Sequence, residues 1–93
     1  MNKDEARSLL RPIVAGLRAQ SRVELLKLLD LPESFTVTAS SGTDYQIEVD
    51  AVWDRKPDGD LRVMVLIDDG GWSAFRPMSD DFIVAPDGTF VGE

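Results

Sequence analysis

The residues most capable of chemistry lie in the stretch DDGGW, residues 68–72. Two adjacent carboxylates before two glycines could ligate a hard cation, cradle an anion with backbone amides, or turn the chain. A calcium loop takes about six to eight oxygen ligands and ends on a bidentate glutamate, whereas the next glutamate after this stretch is Glu93. The stretch also lacks the lysine and hydroxyl residue of a P-loop. We therefore expect a turn here, with no metal and no cofactor.

Composition excludes several kinds of catalysis. The chain contains neither histidine nor cysteine, so Ser-His-Asp and Cys-His arrangements, thiolate metal sites and disulfides cannot form. Carboxylates, one tyrosine, lysines and serines remain, and they form no specific catalytic pattern. The sequence therefore predicts a protein that is not an enzyme.

Charge is distributed unevenly along the chain. Residues 1–30 carry six basic and four acidic side chains, whereas residues 31–93 carry four basic and thirteen acidic ones, for a net charge of −7. An acidic body repels phosphates, which argues against nucleic-acid binding. The acidity either serves solubility, which is the commoner reason for it, or suits a basic protein partner. No apolar run approaches the ~18–20 residues of a membrane span, and the N-terminus lacks the apolar region of a signal peptide. A cytoplasmic protein that does not bind membranes is expected.

Two helices are predicted before residue 31. Apolar residues recur at helical spacing from Ala6 to Leu17, and Pro12 lies opposite this stripe. One bent helix is favoured over two short helices. Ser21 and Glu24 have the spacing of a capping box before a second helix with a broad apolar face that includes Val23. The first helix also carries basic residues that form either a solvated flank or a contact for an acidic partner: Lys3, Arg7, Arg11 and Arg18.

Strands are predicted from residue 35 onward. Residues 45–53 alternate apolar and polar side chains, as in an antiparallel strand with one buried face. Asp69-Gly70 is predicted as a two-residue type I′ turn that pairs Asp68 with Gly71, and strand 61–68 with residues 71–75. Pro-Asp-Gly at 57–59 and 86–88 predicts two more turns, the second within a C-terminal hairpin.

These patterns predict a single α+β domain over residues 1–93. Two N-terminal helices, at about residues 3–30, pack on one face of a four- or five-stranded antiparallel meander sheet, at about residues 35–92. The predicted register gives each face of this sheet a candidate site.

The inner face is predicted to carry the large aromatic residues Tyr45, Trp53 and Trp72. They either fill the core or line a small-ligand cleft between the first helix and the sheet. The outer face is predicted to carry an apolar cluster beside two carboxylates: Val52, Met64, Leu66, Phe75, Glu48 and Asp50. Either the C-terminal hairpin covers this cluster through Phe82, Val84 or Phe90, or a partner or second copy binds there.

The last third of the chain carries GW, then a proline, then FIV-x-PDGTFVGE. The residues of this pattern are Gly71, Trp72, Pro77, Phe82, Ile83, Val84, Pro86, Asp87, Gly88, Gly92 and Glu93. Together with two preceding helices and an acidic meander, the pattern resembles small uncharacterised bacterial α+β proteins. The general plan is also similar to immunity proteins of bacterial toxin systems and, less closely, to shortened cone-shaped folds of the nuclear-transport-factor type.

The function predicted from the sequence is a non-catalytic protein-interaction module, with an acidic inhibitor or immunity-type protein as one form. Its partner is another protein, which a basic surface would suit, or a second copy of the chain. The alternative is a small-ligand-binding domain of the shortened cone-shaped type, which uses the cleft near Tyr45, Trp53 and Trp72.

Overall fold

A computed structural model describes residues 1–71 and 77–93. The described elements are α1 (Lys3–Arg18), α2 (Arg22–Leu26), a 3-10 turn (Lys27–Leu29), β1 (Glu33–Thr38), β2 (Asp44–Trp53), β3 (Leu61–Asp68) and β4 (Met78–Val84). The strands form one sheet in the order β1-β2-β3-β4, and each neighbouring pair is antiparallel. The predicted α+β class, with N-terminal helices and an antiparallel sheet, is confirmed, and the described sheet has four strands.

Helix α1 is a single helix that continues through Pro12. Asn2 caps its N-terminus, where the Asn2 side-chain oxygen accepts a hydrogen bond from the Glu5 amide at 3.1 Å. Pro12 lies on the exposed side, so the stripe of core residues passes it undisturbed. The alternative of two short helices is wrong. The buried residues of α1 are Ala6, Leu10, Val14 and Leu17.

Helix α2 begins where the capping box predicts. The Ser21 hydroxyl accepts a hydrogen bond from the Glu24 amide at 3.2 Å. The helix is only five residues long before the chain tightens into the 3-10 turn. Leu25 and Leu28 are buried, whereas Val23 is 69% exposed. Leu26 and Leu29 are partly buried against the same core, so the apolar face is narrower than predicted only at Val23.

Strands β2 and β3 pair so that the residues predicted to face inward on both strands share one face of the sheet. Ile47 lies opposite Ile67, Val49 opposite Val65, and Ala51 opposite Val63. These inward-facing residues are all buried. The turn between the strands is closed by a 2.8 Å hydrogen bond from the Asp54 amide to the Asp60 carbonyl.

The predicted two-residue hairpin at Asp69-Gly70 is wrong. Strand β3 pairs with β4, so that Met64 lies opposite Asp81 instead of Phe75, and Leu66 opposite Ser79 instead of Ser73. A type I′ turn needs positive φ at both central residues, but the positive values fall at Gly70 (83°) and Gly71 (55°) instead of at Asp69. The Asp68 side chain accepts a hydrogen bond from the Gly70 amide at 2.9 Å, which closes an Asx turn at the end of β3. The expected strand at residues 72–75 lies outside the described residues.

The C-terminal turn forms as predicted, but it packs on the inner side of the sheet. The Ala85 amide donates to the Thr89 carbonyl at 2.8 Å, and Phe90 bridges to Val84. Phe82 and Val84 are buried, and the Phe90 ring packs edge-on to Phe82 with centroids 5.8 Å apart. These three residues therefore do not cover the outer face, contrary to one of the two alternatives.

One hydrophobic core joins the buried helix residues to the inner face of the sheet. Helix α1 contacts β3 and β4, and the 3-10 turn contacts β2. The guanidinium of Arg18 lies 4.1 Å from the centroid of the Phe90 ring and pairs with Glu93, which holds the C-terminal segment against α1. The core therefore contains buried residues of α1, of α2 and of the inward-facing strand positions.

Candidate interaction surface on the outer face of the sheet

The outer face is defined by the strand register. Its side chains form three rows across β2, β3 and β4: Val52, Arg62 and Ile83; Asp50, Met64 and Asp81; Glu48, Leu66 and Ser79. Residues directly opposite each other on one face of a sheet are close enough to contact. We call this set of nine residues the outer patch.

Apolar side chains form the centre of the outer patch. Met64 and Leu66 follow each other along β3, and both are half-buried. Val52 is 44% exposed, and Ile83 is half-buried at the far end of the same row. The structure thus brings together the predicted Val52, Met64 and Leu66, while Phe75 lies outside the described residues.

Sequence reasoning missed Ile83 as part of this surface. The signal was present, because Phe82 and Val84 are large apolar residues two positions apart and Ile83 lies between them. Once Phe82 and Val84 face the core, the period of two along a strand places Ile83 on the outer face.

Carboxylates flank the apolar centre on both sides. Asp50 and Asp81 lie on either side of Met64, and Glu48 lies beside Leu66. Glu48 and Asp50 also line a shallow cavity of about 300 Å³ that reaches Pro32, Glu33 and Ser34 at the start of β1. This acidic depression beside apolar side chains suits a lysine or arginine of a partner.

The one cation of the outer patch is already paired. The Nε of Arg62 donates to Asp54 at 3.0 Å, and the Nη1 of Arg62 donates to Asp81. The hydrogen bond to Asp54, followed by the one to Asp81, raises the pKa of Arg62 above its ordinary value. Among the described residues, this guanidinium forms ion pairs with Asp54 and Asp81 and not with Glu48 or Asp50.

The structure describes two of the three aromatic residues of the predicted ligand cleft, and these two differ in burial and in contacts. Tyr45 is only 1% exposed, and its hydroxyl donates to Glu5 at 2.9 Å. Burial, and then the bond to Glu5, raises the pKa of Tyr45. Trp53 is half-buried, and its ring lies 5.7 Å from the guanidinium of Arg22. Trp72 lies outside the described residues. Among the cavities lined by described residues, four have volumes of about 300 to 510 Å³, and neither Tyr45 nor Trp53 lines any of these four. The cleft stays a prediction.

Some of the basic residues on the flank of α1 lie close to carboxylates of the same chain. Arg18 pairs with Glu93, and Arg7 lies 3.5 Å from Asp4. Arg7 and Arg11 line a cavity of about 310 Å³ beside Asp80. The flank therefore faces carboxylates of its own chain at several points.

Within residues 1–71 and 77–93, no group of three or more acidic, histidine or cysteine side chains is arranged to hold a metal ion. None of the described helices has the length and apolar character needed to cross a membrane. Comparisons with protein-family models, curated proteins and solved structures found no match. Function therefore has to be argued from the α+β fold and its surfaces.

Proposed function

We propose that this protein is a non-catalytic interaction module that binds a basic protein through the outer patch. The observation that carries the proposal is the apolar column of Met64 and Leu66, half-buried between carboxylates on the face of the sheet opposite the fully buried strand residues. An apolar centre with a polar rim is typical of protein interfaces. An acidic inhibitor or immunity-type protein that acts in the cytoplasm is one form of this function.

The chemistry of the patch supports a basic partner. The net charge of −7, together with Glu48 and Asp50 beside the apolar column, favours a partner that presents an apolar side chain between lysines or arginines. Such charges speed association and reject acidic competitors, while the apolar contact supplies most of the affinity. The absence of histidine and cysteine from the sequence supports a binding role over a catalytic one.

The test combines affinity capture from the source cells with variants of the patch. The double variant Met64→Lys with Leu66→Lys should lose the protein captured by the wild type, because two charges replace the apolar centre. Glu48→Lys with Asp50→Lys should lose the same protein by reversing the rim. Both variants should keep a cooperative unfolding transition, since these side chains lie outside the core.

Val23→Lys is the matched control, because Val23 is an exposed apolar residue on α2 that does not belong to the outer patch. The control should capture the same protein as the wild type. If the two patch variants capture it as well as the control does, the outer patch is not the binding surface.

A further inference from the structure

The two edges of the sheet are protected differently. At the β4 edge, the carbonyl of Ile83 accepts a 2.9 Å hydrogen bond from the Val91 amide, and Asp80 and Asp81 add charge. Charges and covering segments are the usual means of blocking edge-to-edge association. At the β1 edge, the sequence ESFTVT contains one charged residue, Glu33, and no lysine or proline. Within the part of the chain that the structure describes, β2 is the only strand paired with β1.

The direction of the β1 backbone follows from the adjacent turn. The Ala39 amide donates to the Thr43 carbonyl at 2.8 Å, so the polar backbone groups of Ala39 point toward β2. In an antiparallel pair this direction alternates from one residue to the next. The amides and carbonyls of Ser34, Thr36 and Thr38 therefore point away from β2, toward the open edge.

The inner face of β1 is incompletely covered. Phe35 is 38% exposed, although its neighbour across the register, Ile47, is fully buried. Leu31, just before the strand, is 74% exposed. Burial falls at this edge because β1 packs chiefly against β2, whereas the helical layer contacts β2, β3 and β4. Apolar surface and backbone groups that bond to no described strand thus occur along the same edge.

We infer that the β1 edge pairs with the β1 edge of a second copy, antiparallel and across a two-fold axis, and that this surface is separate from the outer patch. A register centred on Thr36 places Thr36 opposite its own copy and Ser34 opposite Thr38, with their outward-pointing backbone groups bonded in pairs. The same register places Phe35 opposite Val37 on the inner face. Aromatic and β-branched pairs, and pairs of hydroxyl residues, are favourable neighbours across strands.

A second copy fits this edge better than an unrelated peptide because the strand is complementary to itself. The register faces Glu33 with Ala39 of the other copy, so no carboxylate lies directly opposite another within the paired strands. An interface of this kind is isologous and closes at a dimer. Because each chain carries a net charge of −7, added salt should screen the repulsion and strengthen the association.

Sedimentation velocity from micromolar to millimolar concentration tests the dimer, with amide hydrogen exchange on the same samples. We expect a concentration-dependent dimer, in which the amides of Ser34, Thr36 and Thr38 gain protection as the dimer forms. Thr36→Pro should weaken dimerisation about tenfold or more, because each dimer loses two backbone hydrogen bonds. Since the Thr36 amide points away from β2, this proline leaves the β1–β2 hydrogen bonds in place.

Thr36→Val keeps the amide and the branched side chain, so it should dimerise like the wild type. A protein that stays monomeric throughout, or equal dissociation constants for Thr36→Pro and Thr36→Val, would overturn the inference. If Thr36→Pro fails to fold, the exchange pattern of the wild type decides. Met64→Lys with Leu66→Lys should leave the dimer intact, and Thr36→Pro should leave capture of the basic partner intact, so the two proposals fail separately.

Discussion

At the scale of single residues, burial separates side chains that the sequence alone presents as equivalent. Leu10 and Val23 are both aliphatic residues of predicted amphipathic helices, yet Leu10 is buried in the core and Val23 is exposed. Hydropathy could not distinguish them, because Val23 lies in a helix of only five residues of which Leu25 alone is buried. The loss in free energy of unfolding when a side chain is truncated to alanine should depend on how buried that side chain is, and not on its residue type.

Leu10→Ala should lower the free energy of unfolding by about 2–5 kcal/mol, because it opens a cavity in a packed core. Val23→Ala should change it by about 0.5 kcal/mol or less, since the side chain is mostly in water. Urea unfolding at equilibrium measures both values. Similar losses from the two variants would show that the assigned face of α2 is wrong.

At the scale of elements, the contact between Arg18 and Glu93 ties the last residues to α1. The hydrogen bond from Arg18, and then its charge, lowers the pKa of the Glu93 carboxyl below the ordinary value of 4.5. A carboxyl with a lowered pKa in the folded state stabilises the fold above the unfolded value, and this stabilisation is lost as pH falls through the folded value.

As the pH decreases below about 4.5, the melting temperature of Glu93→Gln should therefore fall less steeply than that of the wild type. Arg18→Gln removes the same contact from the other side and should reduce the acid dependence in the same way. Melting curves measured at a series of pH values decide the matter. A slope for Glu93→Gln that matches the wild type would mean that this contact does not contribute to the acid dependence.

The elements also show how far the sequence could predict the fold. The alternation of apolar and polar residues along β2 correctly predicts which of its residues face inward. In the structure these residues lie opposite the inward-facing residues of β3. The second half of β4 is within the predicted C-terminal hairpin, but its start at Met78 is not predicted, because Ser79, Asp80 and Asp81 make the first half look like a loop. The connection after β3 was predicted too short, because the dipeptide Asp69-Gly70 is a common signal for a two-residue hairpin turn. Only the backbone angles show that the left-handed residues are Gly70 and Gly71, and not Asp69 and Gly70. The pairing of Arg62 with Asp54 and Asp81 needed the register and had no signal in the sequence.

At the scale of the whole molecule, the two proposed surfaces are geometrically compatible. A two-fold axis perpendicular to the sheet preserves its faces, so the dimer would place both outer patches on the same side of one continuous sheet. A partner with two basic sites, or two partner molecules, could then be bound together. Linking two sites in this way raises the apparent affinity without any new contact.

Salt should act on the two surfaces in opposite directions. Raising sodium chloride from low to physiological ionic strength screens attraction between the acidic rim and a basic partner, so capture through the outer patch should weaken and its association rate should fall. The same salt screens repulsion between two chains of net charge −7, so pairing of the β1 edges should tighten. Sedimentation for the dimer and surface-immobilised binding kinetics for the captured partner measure these effects on one preparation. Partner binding that strengthens with salt would remove the electrostatic part of the outer-patch proposal, and a dimer that weakens with salt would contradict the charge argument at the β1 edge.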